Sequence, residues 1–174
     1  MGLKDYFFRK EMRRRFRHGR FVSWSSVRSV LILAECATAD EAAAVTSIAD
    51  SVRREGIRVA VCIYTEAKEF SVTPSDELCV ITKKDISLFG WPKKGVAASL
   101  LGRAFDVAVD LSPRQSWALR YVLVRAQVTM RCGRQGEAYD LYDFMIDDSS
   151  ASPAELFRQT RLYLEMIRES GAAS

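Results

Sequence analysis

The chain has 174 residues, 48% of them hydrophobic and 28% charged, with a net charge of +4, which suits about one soluble domain able to bury a core without disulfide or metal staples. No apolar run approaches the roughly 18–20 residues of a membrane span, and Arg13, Arg14, Arg15 and Arg17 stand where a secretory signal needs its apolar stretch. The four cysteines, Cys36, Cys62, Cys79 and Cys132, form no CxxC pair; most lie in or beside apolar runs and read as small buried hydrophobes with free thiols, in a protein of the reducing cytoplasm.

The charge is not spread evenly. The first twenty residues hold eight Lys or Arg against two acids, and the other 154 hold 18 against 20. A like-charged block of this density repels itself unless a polyanion neutralises it. The expected partner is therefore RNA or a ribonucleoprotein, with an anionic membrane surface or an acidic protein as alternatives. At 100° per residue, a helix over residues 4–18 gathers Phe8, Met12 and Phe16 into a narrow apolar seam. Arg9, Lys10, Arg13, Arg14, Arg15, Arg17 and Arg20 are the candidate nucleic-acid contacts. The seam has three uses open to it: packing on its own domain, supporting a basic face on RNA, or entering anionic lipid. Residues 1–22 are read as this basic amphipathic arm and residues 23–174 as the domain behind it.

From residue 27 the chain alternates apolar runs with helical stretches. Residues 27–34 read as a buried parallel strand. Thr38-Ala39-Asp40-Glu41 matches a capping box that opens a helix running to Gly56, and residues 58–64 are the second strand. Short turns between them make a parallel βαβ unit. Residues 77–82 form a third strand, followed by an irregular segment broken by Gly90 and Pro92, in which lysine pairs flank Phe89 and Trp91. That segment either stacks a base or plugs the edge of the core. A helix over 96–104, a strand ending at Asp110, a helix capped at Ser112 and running to about Ala126, and a strand over 127–132 follow. Residues 139–146 are strand-like, and Ser152-Pro153-Ala154-Glu155 caps the last helix, which ends before Gly171. The alternation specifies a single α/β domain, Rossmann-like and three-layered, with a mostly parallel sheet of five or six strands and an N-terminal basic helix.

In such a sheet, ligands bind outside the carboxyl ends of the strands. Glu35, Lys83, Lys84, Asp110, Arg131 and Arg134 follow or end apolar runs and are the candidate ligand rim. The usual nucleotide signature is missing, because the turn after the first strand reads AECATADE, without glycine and with three acids that repel phosphate. The sole histidine, His18, lies in the arm, so neither a His-based triad nor a His-based zinc site can be placed on the domain. No catalytic residue, metal site or cofactor is expected. Asp143, Asp147 and Asp148 read as solvated turn acids.

FDVAVDL and YDFMI together carry two resemblances. The whole chain resembles an uncharacterised family of small bacterial proteins of about this length. Residues 105–136 resemble the N-terminal Rossmann-like domain of heptosyltransferase-type glycosyltransferases, with Phe105, Asp106, Asp110, Leu111 and Ser116 as the matching positions. The second resemblance implies the fold and, through the family's activity, a nucleotide sugar. The leading expectation is a non-catalytic domain that docks on a polyanion through its basic helix. The alternative is a small enzyme or ligand-binding domain for a phosphorylated metabolite or nucleotide sugar at the strand-end rim. A projecting arm over a flat rim favours the first; a pocket of convergent polar groups favours the second.

Overall fold

The computed structural model describes residues 2–114, 116–136 and 138–168. Six strands, β1 (Ser29–Glu35), β2 (Arg58–Thr65), β3 (Leu78–Thr82), β4 (Ala104–Asp110), β5 (Gln127–Arg134) and β6 (Phe144–Ile146), form one sheet. Every pairing is parallel, in the order β3-β2-β1-β4-β5-β6. This is the Rossmann order, and it reverses at β1, whose neighbours are β2 and β4.

Side-chain alternation along the strands sorts two cores. Val30, Ile32, Val59, Val61, Val107 and Val109 face one layer with helices α2 (Ala39–Arg53) and α5 (Pro153–Met166). Leu31, Leu33, Ala60, Cys62 and Ala108 face the other, with α1 (Leu3–Arg15), the short α3 (Ala98–Leu101) and α4 (Trp117–Arg125). Val80 is only half-buried, because β3 is an edge strand. Cys36, Cys62, Cys79 and Cys132 are free, and all but the half-buried Cys79 are buried.

Three elements differ from expectation. The helix read from Ser112 begins at Trp117 under a Ser116 cap, whose hydroxyl accepts from the Leu119 amide. Ser112 is engaged elsewhere: its hydroxyl accepts the Glu35 amide, and its own amide donates to Asp110. Gln115, within the expected helix, and Gly171, the expected end of the last helix, lie outside the described residues. The helix over 96–104 shortens to one turn, and the strand-like stretch 139–146 pairs only over its last three residues, because Leu141 and Tyr142 turn into the second core.

The arm belongs to that second core. Acid near its start and Arg13, Arg14 and Arg15 in its last turn suit the dipole of α1. Phe8 is fully buried, edge-on to Trp117 and Tyr139, and Phe16 is buried under the Arg131 guanidinium. Glu11, also buried, accepts from Arg15 on its own helix and from Arg125 of α4. Beyond α1 the backbone crosses β5 so closely that a Cβ on Gly19 would lie 1.6 Å from the Thr129 carbonyl oxygen. Trp24 then fixes the junction to the other layer, against Phe157 and under Arg161. Phe8→Ala is expected to cost about 3–5 kcal/mol, read as a lowered midpoint in chemical denaturation; a change below about 1 kcal/mol would mean that the seam does not anchor the arm.

Candidate functional site

The carboxyl ends of β1 and β4 meet where the strand order reverses, and two side chains close the sheet there. Ser112 takes the Glu35 amide at 3.0 Å, and Asp110, fully buried, accepts from the Ser112 amide at 2.9 Å and the Tyr142 hydroxyl at 2.7 Å. Above this floor opens a cleft of about 680 Å³. Glu35 and Tyr64 enter it from the ends of β1 and β2, Glu66 and Lys83 from just beyond β2 and β3, Arg114 from the β4–α4 loop, and Lys4 from the arm. Trp117 and the start of α4 line it, together with Ile86, Ser87, Leu88 and Gly90 of the loop 86–90.

That loop is the irregular lysine-flanked segment, and it plugs the core edge. Trp91 stacks on Tyr121 at 5.3 Å, Phe7 of α1 meets Phe89 and Trp91 edge-on, and Lys83, Lys84, Lys93 and Lys94 stay in solvent. Gly90 adopts φ +83°, and a Cβ there would press on Trp117 and Lys4, so glycine shapes this corner of the cleft. The N-terminus of α2 is closed to ligands: Thr38 caps Glu41, and the Glu41 carboxylate takes the Ala37 amide at 2.6 Å.

The site is electrostatically mixed. Burial pushes the Glu35 carboxyl above its ordinary value; Arg114 opposes, and Glu66, Asp110 and Glu41 add to the rise. Burial and the neighbouring Glu66 push the Tyr64 phenol up to about 12. No ion pair ties Lys4, Lys83 or Arg114 to an acid among the described residues.

Of the six expected rim residues, Glu35 and Lys83 line the cleft. Lys84 is exposed beside it, and its carbonyl accepts from Lys93. Arg134 is half-buried, tied to the carbonyls of Asp148 and Ala151, and lines a smaller neighbouring hollow. Asp110 and Arg131 are not on the rim. Both side chains point into the α1/α4 layer, on the same face of the sheet as Ala108, and are buried there. Lys4 and Arg114 were missed. Arg114 carried a signal, since it closely follows a strand end, whereas nothing in the local sequence places Lys4 here.

In the arm, Arg9 pairs with Asp5, Arg15 pairs with Glu11, and Arg17 donates to the carbonyls of Phe16 and Arg13. Lys10, Arg13, Arg14 and Arg20 are exposed. His18 lies between Asp143 and Asp140, with ring nitrogens 3.1 and 3.0 Å from their carboxylates, and does not line the cleft. Asp143 also accepts from the amides of Gly19 and Arg131, and Asp148 from Ser150 and Gln159. No helix of the described residues is long and apolar enough to cross a membrane.

The chain belongs to a family of unknown function (DUF6913), which matches residues 4–167. No curated protein and no solved structure matches it. The family match spans the arm and the sheet together, whereas the heptosyltransferase resemblance rests on the β4–α4–β5 unit alone.

Because the folded-state value of Glu35 is raised, its contribution to stability is complete below the unfolded value and is lost as pH rises through the folded one. Glu35→Gln is therefore expected to raise the melting temperature near neutral pH and to lose that advantage below the ordinary glutamate value of 4.5. Thermal melts of both proteins across that range check it, and an equal effect at every pH would contradict it.

Proposed function

For this member of the family, we propose that the carboxyl-edge cleft binds a small phosphorylated molecule, a metabolite phosphate or a nucleotide sugar. The observation that supports this is the gathering of Lys4, Lys83 and Arg114, from three separate segments and without acid partners among the described residues, around the half-buried Glu35. Three cations at one opening attract an anion, and Arg114 offers a fork that fits two phosphate oxygens. Glu35 and Glu66 then face the uncharged or cationic part of the ligand, accepting from hydroxyl or amine groups. Trp117, which lines the cleft, supplies apolar contact there. The arm does not project from the domain, so its first role is as part of this site. Free, largely buried thiols support a reducing compartment such as the cytoplasm.

Binding to the folded state raises thermal stability by mass action, by about 2.7 kcal/mol at a ligand concentration a hundredfold above Kd. A panel of sugar phosphates, nucleoside phosphates and nucleotide sugars, screened by thermal melting, is expected to contain at least one compound that stabilises the parent protein. Lys83→Glu and Arg114→Gln are each expected to weaken that compound by about 1.5–3 kcal/mol, the worth of a charge-assisted hydrogen bond, with the ligand-free melting temperature of the Lys83 variant almost unchanged. If no phosphorylated compound stabilises the protein, or if both variants bind as tightly as the parent, the reading is wrong.

A further inference from the structure

We propose that the outer face of α1 is a second, separate binding surface, and that its partner is RNA. On a helical wheel, Lys10, Arg13 and Arg14 of α1 fall within one arc of about 100°, opposite Phe8 and Met12 of the seam, and the exposed Arg17 follows just beyond the end of the helix. The seam is packed into the domain, so the folded protein holds this arc outward and fixes its direction. In an isolated helix the same residues would face all ways in turn.

Packing also sorts the charges. The only acids of the arm, Asp5 and Glu11, are engaged by Arg9 and by Arg15 with Arg125. Among the described residues, no carboxylate pairs with Lys10, Arg13, Arg14, Arg17 or Arg20. Four of these five cations are Arg, whose planar fork makes bidentate contacts to phosphate. From position 10 to position 14 the helix advances about 6 Å, and Arg17 lies beyond its end, so the row can follow consecutive phosphates of one strand. The Arg17 carbonyl is held by the buried Arg131, which fixes the far end of the row to β5.

Two features favour RNA over the other polyanions. The apolar seam that an interfacial membrane helix would insert is already buried in the protein. Outward-facing apolar groups on α1 reduce to Leu3 and Tyr6 at one end, short of the apolar face such helices use. Tyr6, half-exposed beside the cations, offers a ring on which an unpaired base can stack, and single-stranded or looped RNA supplies both such a base and the phosphates. An acidic peptide would use the charges but not the ring.

This inference is independent of the cleft, because none of these residues lines it. The test is fluorescence anisotropy with a labelled uridine oligomer and a labelled RNA hairpin at low salt, beside flotation with phosphatidylserine-containing vesicles. The parent is expected to bind RNA with a slope of log K against log salt near −3, as about four neutralised phosphates on a single strand give. The combined variant Arg13→Glu, Arg14→Glu, Arg17→Glu is expected to bind at least about tenfold more weakly, with a slope near zero and an unchanged melting temperature. Tyr6→Ala is expected to weaken the oligomer without changing the slope. If the charge-reversed protein misfolds, Lys10→Gln with Arg13→Gln takes its place and is expected to lower the slope by about 1.4. RNA binding equal to the parent's in a folded charge variant, salt-independent binding, or vesicle binding without RNA binding would each overturn the proposal. Binding of a phosphorylated metabolite is read separately and should be unaffected by these substitutions.

Discussion

A buried guanidinium holds the molecule in the form described. Arg131 lies in the middle of β5 with 4% of its surface exposed, and a charge so placed is stable only if its donors are satisfied. It donates to the carbonyls of Leu123 and Ala126 at 2.9 Å each, to Val128, and to Arg17 at the end of the arm, while Phe16 lies against its plane. One side chain thus joins the sheet, the end of α4 and the N-terminal segment. Docking of the arm brings Lys4 to the cleft and turns the outer cations to solvent, so both surfaces proposed as functional depend on it.

The cleft shows a second constraint of the same kind. In a parallel sheet whose order reverses, the strands flanking the reversal have no crossover between them on that side, and their ends need other fastening. Ser112 and Asp110 supply it, binding the β1 end, the β4–α4 loop and Tyr142 into one hydrogen-bonded floor. The residues above that floor are less well satisfied. Glu35 carries a carboxyl whose ionisation burial disfavours, and Lys4, Lys83 and Arg114 line the same cleft without an ion-pair partner among the described residues.

Helix α1 serves two environments because its residues divide by angle. The seam and Glu11 look inward, Lys4 looks toward the cleft, and Lys10, Arg13 and Arg14 look outward. A helix this basic would be poorly stable alone, since its like charges repel. Here tertiary contacts carry it, with the burial of Phe8 and Phe16 outweighing the repulsion among cations that remain hydrated.

The layers were legible because each rests on short-range physics. Near-continuous apolar runs such as VLILA and VAVCIY can only be strands buried on both faces, and the Thr38 and Ser152 caps announce α2 and α5 through hydrogen bonds that span three residues. Fold class, the parallel βα alternation, the free thiols and the separation of a basic arm from a neutral body follow from such local rules. The fate of Asp110, Arg131 and Lys4 does not. Whether a polar residue at a strand end points to solvent or into a helix layer depends on the parity of its position and on what packs opposite. Asp110 and Arg131 fell on the face that α4 and the arm cover, while Lys4 was carried to the rim by contacts made by Phe8 and Phe16. The sequence by itself determined which segments are strands and helices and where the charge is concentrated, since those depend on neighbours along the chain. Only the tertiary structure decided which polar groups became structural and which were left at the cleft or on the outer face of the arm, because that depends on packing between segments that are not neighbours along the chain.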